Sequence, residues 1–141
     1  MNSLPDINIW LALTFSAHPH HEKALGWFES MPATSCAFCR MTQQGYLRLA
    51  SNPKVFGMDA FALVDSWKAY NTLQDDERVR FESEPVDIES AWSAYTSTKT
   101  FSAKVWNDAY LAAFAKQSKF QLVTFDRGFR QYHGLNLKLL R

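Results

Sequence analysis

Short extended runs alternate with helix-period segments along the whole chain, and that alternation leaves few folds open. Ser3 and Leu4 form a very short strand running into Pro5-Asp6, and a helical stretch follows from Ile7 to Phe15. After the helix-start signal His18-Pro19, Ala24, Leu25, Phe28 and Met31 recur at the spacing of one helix face until Pro32 ends it. Thr34 to Phe38 reads as a strand, and Arg40 to Ala50 as a helix stopped by Ser51-Asn52-Pro53. Ala60, Leu63, Val64, Trp67 and Tyr70 share one face of the next helix, and Gln74-Asp75-Asp76-Glu77 reads as a loop. Val79 to Phe81 is a weak strand, and Ile88, Ala91, Trp92 and Tyr95 mark another helical face. The strongest helix runs from Ala103 to Lys119, where small Ala109, Ala112 and Ala113 permit close approach to a sheet. Gln121 to Thr124 follows as a buried-type strand and Asn136 to Leu140 as a last edge strand. Strands separated by helices in this way predict an α/β fold: a parallel sheet with helices on both faces.

A chain of 141 residues with 47% hydrophobic and 21% charged side chains has the material for one compact core, so a single domain over 1–141 is expected. Its 15% aromatic content exceeds what such a core needs, leaving some rings for a surface that meets a partner. Of Trp10, Trp27, Trp67 and Trp92, most should be core, with one or two left for that surface. The formal net charge is only +1, so nucleic acid must be held locally, at a site, and not by a general field. Two cysteines cannot build a disulfide framework. The apolar run from Ile7 to Phe15 has no basic segment before it and is too short to span a bilayer, so a cytosolic protein is expected.

Three carboxylates have a shared placement. Asp6 follows the first strand and Asp126 follows the strand ending in Thr124, while Asp108 lies near the start of the helix that leads into that same strand. In a parallel sheet all three therefore fall at the C-terminal edge, where open α/β sheets place their sites. Singly, each is the kind of Asp that caps a helix or faces water. Together they repel one another, and a hard divalent cation such as magnesium or manganese relieves that conflict. A cation held this way activates water and polarises a phosphodiester without a His or Cys nucleophile.

The motifs around these residues carry a resemblance. Pro5-Asp6-Ile7-Asn8-Ile9-Trp10 resembles the opening Asp-x-Asn motif of PIN domains, and His18-Pro19-His20-His21-Glu22 with Ala24 and Trp27 resembles the next helix in VapC-type toxins. Thr42-Gln43-Gln44-Gly45-Tyr46-Leu47-Arg48-Leu49 with Asn52-Pro53 is similar to the second motif. Asn107-Asp108-Ala109-Tyr110-Leu111-Ala112-Ala113 and Leu122-Val123-Thr124-Phe125-Asp126-Arg127-Gly128-Phe129 are similar to the third and fourth. The resemblance spans nearly the whole chain in the expected order. It implies a Rossmann-like α/β/α sandwich with the first and fourth strands side by side. It also implies a magnesium- or manganese-dependent endoribonuclease, the toxin of a toxin–antitoxin pair, with a cognate antitoxin blocking the site and a homodimeric assembly. By the same resemblance Asp6, Asp108 and Asp126 are the catalytic metal ligands and Asn8 and Thr124 orient them, with Asn107, Arg48 and Arg127 as accessory residues. One departure is visible: Gln43 stands where the second motif usually supplies a Glu, bringing an amide oxygen and no charge.

Other features have plainer readings. Cys36-Ala37-Phe38-Cys39 lacks a second ligand pair and reads as packing thiols. His18, His20 and His21 have no acidic partner at ligand spacing and read as surface or capping histidines. Arg127 and Arg130 flank Asp126 and suit phosphate contacts, whereas Arg48 serves equally well as a salt-bridging helix residue. Two competing functions are a non-catalytic PIN-like module binding RNA or protein, which Gln43 makes plausible, and a phosphoacceptor receiver domain. The receiver needs an acidic pair after the first strand and a Lys after a late one; Asp6 has no acidic neighbour, and no such Lys follows a clear strand.

Overall fold

A computed structural model describes all residues from Met1 to Arg141. Five strands form one parallel sheet: β1 (Ser3–Pro5), β2 (Cys36–Phe38), β3 (Val79–Phe81), β4 (Gln121–Thr124) and β5 (Leu137–Leu139), in the order β3-β2-β1-β4-β5. Seven helices join them: α1 (Ile7–Thr14), α2 (His21–Glu29), α3 (Arg40–Ala50), the single turn α4 (Pro53–Phe56), α5 (Leu63–Asp75), α6 (Ile88–Thr96) and α7 (Val105–Ser118). The expected α/β/α sandwich is present, with β1 beside β4 in the register Ser3 to Gln121, Leu4 to Leu122 and Pro5 to Val123.

Alternation along each strand sorts side chains to two faces. Leu4, Ala37 and Leu122 turn toward α6 and α7, joining Ala109, Ala112, Ala113 and Phe114 in one core. Cys36, Phe38, Val79 and Val123 turn the other way, toward Trp10, Trp27, Phe28, Tyr46 and Tyr70 from α1, α2, α3 and α5. Both cysteines are free and buried, as packing thiols should be. Trp10 is stacked on Phe38 with ring centroids 4.0 Å apart. At Gly45 a Cβ would fall inside the Ile7 side chain, so α3 can lie against α1 only with glycine there.

Two segments differ from expectation. Asn52 caps a short turn of helix, accepting from the Lys54 amide at 2.9 Å, so Ser51-Asn52-Pro53 both ends α3 and starts α4. On α5 most of the apolar face expected from its spacing is open: Leu63, Val64 and Trp67 are 73%, 60% and 50% exposed, and of that face the helix buries Tyr70, together with Ser66. Helix α5 also runs on through Gln74 and Asp75, where a loop was expected.

The chain visits β1, β2 and β3 in one direction and then crosses back through α6 and α7 to β4 and β5. Strand order therefore reverses between β1 and β4, and the crevice at their C-terminal ends is a topological switch point.

Candidate active site

Asp6 leaves β1 directly into α1 and caps that helix, its carboxylate accepting the Ile7 amide at 2.7 Å. Its backbone amide donates to the Val123 carbonyl at 2.8 Å, so the sheet itself fixes where the residue stands. The Thr124 hydroxyl donates to the other carboxylate oxygen of Asp6 at 2.8 Å. That same hydroxyl accepts the Asp126 amide at 3.0 Å and the Asn8 side-chain amide at 3.4 Å. Thr124 is fully buried, and three of the expected site residues meet at its one oxygen atom. The Asp126 carboxylate folds back on its own turn, accepting from Gly128 N–H at 2.8 Å.

Asp108 enters from the first turn of α7. The electrostatics tie the three acids together. Burial raises the Asp6 carboxyl to about 6, and Asp108 and Asp126 push it the same way, against the lowering effect of the Thr124 and Ile7 hydrogen bonds. Burial also raises Asp108, with Lys104 pulling it down and Asp126 pushing it up. Lys104 reaches within 4.0 Å of the Asp126 carboxylate, a loose and mainly solvated pair.

Tyr132 belongs to this group, and sequence reasoning missed it. Its hydroxyl is buried without a hydrogen-bond partner. Burial, then the charges of Asp108 and Asp126, push that phenol up to about 12. The only signal for it in the sequence is a tyrosine six residues beyond Asp126, which has no recognisable spacing.

Gln43 is not offered to the carboxylates as a free donor. Its side chain is buried on α3, and its carbonyl oxygen accepts from the Arg40 guanidinium of the preceding turn. Asn107 and Arg127 are exposed at the site's rim, and Arg130 lies exposed one turn beyond Asp126. Arg48 is exposed on α3 and belongs to none of the four ion pairs. The histidines are occupied locally: the His21 ring nitrogen bonds the Ala12 carbonyl at 2.7 Å, and His18 Nδ1 accepts the His20 amide at 3.0 Å.

No three His, Cys, Asp or Glu side chains stand together as a ready-made cage for an ion. The donor set nonetheless suits a hard cation that keeps much of its water. Asp6 is held near the point of protonation by burial, with Asp108 and Asp126 adding to it, and Asn8 Oδ1 is buried with no partner. Both carry an unmet electrostatic demand that a divalent ion satisfies.

The PIN domain family profile matches residues 4–135. Ribonuclease VapC41 of Mycobacterium tuberculosis is 42% identical, with 97% of each chain covered. Ribonuclease VapC38 of the same species is 28% identical, covering 89% of this chain and 86% of its own. Among solved structures, M. tuberculosis VapC20, described as a sarcin-ricin loop cleaving toxin, superposes with a TM-score of 0.69 at 18% identity, covering 97% of this chain and 99% of that one. The VapBC2 complex of Rickettsia felis, bound to a promoter DNA fragment, gives 0.70 at 12% identity over the full length of both chains.

Proposed function

The chain belongs to the PIN-domain family, and from that membership we propose that it is the ribonuclease toxin of a toxin–antitoxin pair, hydrolysing RNA phosphodiesters with magnesium or manganese. The observation that carries the reading is the convergence of Asp6, Asp126 and Asn8 on the Thr124 hydroxyl, with Asp108 raising the charge at the same edge.

Asp6, Asp108 and Asp126 would hold the ion, directly or through water, and Asn8 Oδ1 is an uncharged oxygen with no other partner. Bound there, a divalent ion supplies an activated water and a counter-charge for the phosphate. The protein's own task is to keep the acids ionised and oriented. Thr124 takes one oxygen of Asp6 and leaves the second on the Ile7 amide, fixing the plane of that carboxyl. Lys104 at the open side brings a mobile positive charge to the rim, where it can follow a phosphate oxygen once Asp126 is neutralised.

An antitoxin is the proposed protein partner, since VapBC complexes are among the structures of this fold. We assign its contact, or that of a second copy in a homodimer, to the apolar surface of Leu63, Val64 and Trp67. No helix is long and apolar enough to cross a membrane, and a cytosolic site of action suits an RNA substrate.

Sequencing the RNA ends produced by wild type and by Asp108→Asn, each with magnesium, with manganese and with chelator, tests the function. New ends that need both Asp108 and the ion are expected; RNA left intact by wild type with either ion overturns the reading. A non-catalytic binding module is the second reading, favoured by the capture of Gln43 by Arg40. Such a module would show no manganese affinity that depends on Asp6 or Asp108, which titration calorimetry reads directly.

A further inference from the structure

We propose that the cleft beside Asp126, between the start of α2 and the ends of β4 and β5, holds the phosphates of a single RNA strand next to the bond being cut. The proposal rests on the ribonuclease reading above. The cleft has a volume of about 250 Å³, and Lys23, Arg127 and Arg141 line it together with His20, Phe125 and Leu139.

Charge is the first argument. In a chain of net charge +1, three permanent cations meet in one depression. None of them is spent on a carboxylate: the ion pairs of the molecule are Lys68 with Asp65, Arg78 with Asp76, Arg80 with Glu82 and Lys104 with Asp126. An uncompensated cationic hollow is what local capture of nucleic acid requires when the overall field is weak.

Continuity with the acids is the second. Leu140, also on the cleft wall, donates its amide to the Thr124 carbonyl at 2.9 Å, and the Thr124 hydroxyl holds Asp6. Phe125 forms the floor between Thr124 and Asp126, and Arg127 rises immediately after Asp126. The His20 ring lies tilted against the Phe125 ring with centroids 4.6 Å apart. The three cations are the cleft's contacts for phosphate. Contacts of that kind set register and length requirement without reading sequence.

The test is equilibrium binding of a fluorescent single-stranded oligoribonucleotide to the Asp108→Asn protein between about 50 and 200 mM salt. Adding K23Q and R127Q should weaken binding about tenfold and flatten the log–log salt slope by about 1.4, or ~0.7 for each phosphate released. The charge-keeping pair K23R and R127K should bind like the parent. Unchanged affinity and slope in K23Q/R127Q overturns the proposal, as does an equal loss in K23R/R127K, or failure of the parent to bind RNA. Should the Gln pair weaken only the grip of a protein partner, the cleft belongs to that partner and the proposal falls. Cleavage by wild type is scored separately. A cutting wild type with an indifferent cleft removes this proposal alone, and an inactive wild type with a cleft behaving as described removes the ribonuclease reading alone.

Discussion

Thr124 has one hydroxyl and three partners, which makes it the most constrained polar atom at the site. Thr124→Val keeps the shape but strands the Asp126 amide and frees the Asp6 carboxyl to turn, so RNA cleavage should fall by roughly 10–100-fold with the fold intact. Circular dichroism and a cleavage time course check this together, and an active Val variant would contradict it. Asp6 behaves differently, because its charge opposes folding. Its carboxyl is raised from 3.8 to about 6 in the native state, so the native protein binds that proton more tightly than the unfolded chain does. The stability it contributes is complete below about pH 4 and is lost as pH rises through 6. Without a divalent ion, the wild type should therefore lose about 1–2 kcal/mol between pH 5 and pH 7.5, partial solvation reducing the full value, or roughly 3–6 °C in Tm, and Asp6→Asn should remove that fall although its amide forfeits one of the two hydrogen bonds the carboxylate accepts. Magnesium should raise the wild-type Tm at pH 7.5 and scarcely at pH 5. Thermal melts with chelator and with magnesium at both pH values decide it; an Asn variant whose Tm falls from pH 5 to pH 7.5 as the wild type's does would show that the Asp6 charge is not a burden.

Arg78 is the tie between two elements that share no strand pairing. It grips Asp76 with two nitrogens at 2.9 and 2.7 Å, lies 4.0 Å over the Phe28 ring, and donates to the Phe28 carbonyl at 3.3 Å. The Arg78 side-chain hydrogen bonds hold the Asp76 carboxyl down at about 2, so the pair's contribution persists at neutral pH and is lost as pH falls from about 4 toward 2. Arg78→Ala should cost about 1–3 kcal/mol in urea unfolding and loosen α2 against β3; an unaltered midpoint would mean solvent supplies all of it. Elements such as these were legible where burial and period agreed: α3 and β4 stand on the residues their patterns indicate. The carboxylates were legible for the same reason, since a parallel sheet sends every strand end to one edge. Two features were not. Helix α7 ends where expected, but its start at Val105, two residues after the expected Ala103, and the left-handed Lys119 that stops it at φ 59°, with Phe120 N–H bonded to Ala115 O at 2.9 Å and no glycine there, carry no mark in the sequence. The capture of Gln43 by Arg40 depends on a side-chain rotamer, which spacing along a helix does not reveal.

Seen whole, the molecule leaves apolar surface open at two places. Alanines and Phe114 pack α7 against the sheet while Trp106 at its start is 56% exposed, and α5 presents Leu63, Val64 and Trp67 to solvent. Purified protein should sediment as a dimer, and Leu63→Glu with Val64→Glu should shift it to monomer while moving Tm by no more than a few degrees, because both side chains are mainly exposed. Monomeric wild type at tens of micromolar would instead leave that surface to the antitoxin alone. The pairing of β1 with β4 has a temporal meaning as well. Asp6 and the Thr124 that orients it are 118 residues apart, and Asp126 comes later still. A chain emerging from the ribosome thus carries its first acid almost from the outset but has nothing to set it against until nearly all of the domain has been made. A half-made copy of this protein therefore lacks the Thr124 contact that orients Asp6, because that edge of the sheet does not exist before its last strands are laid down.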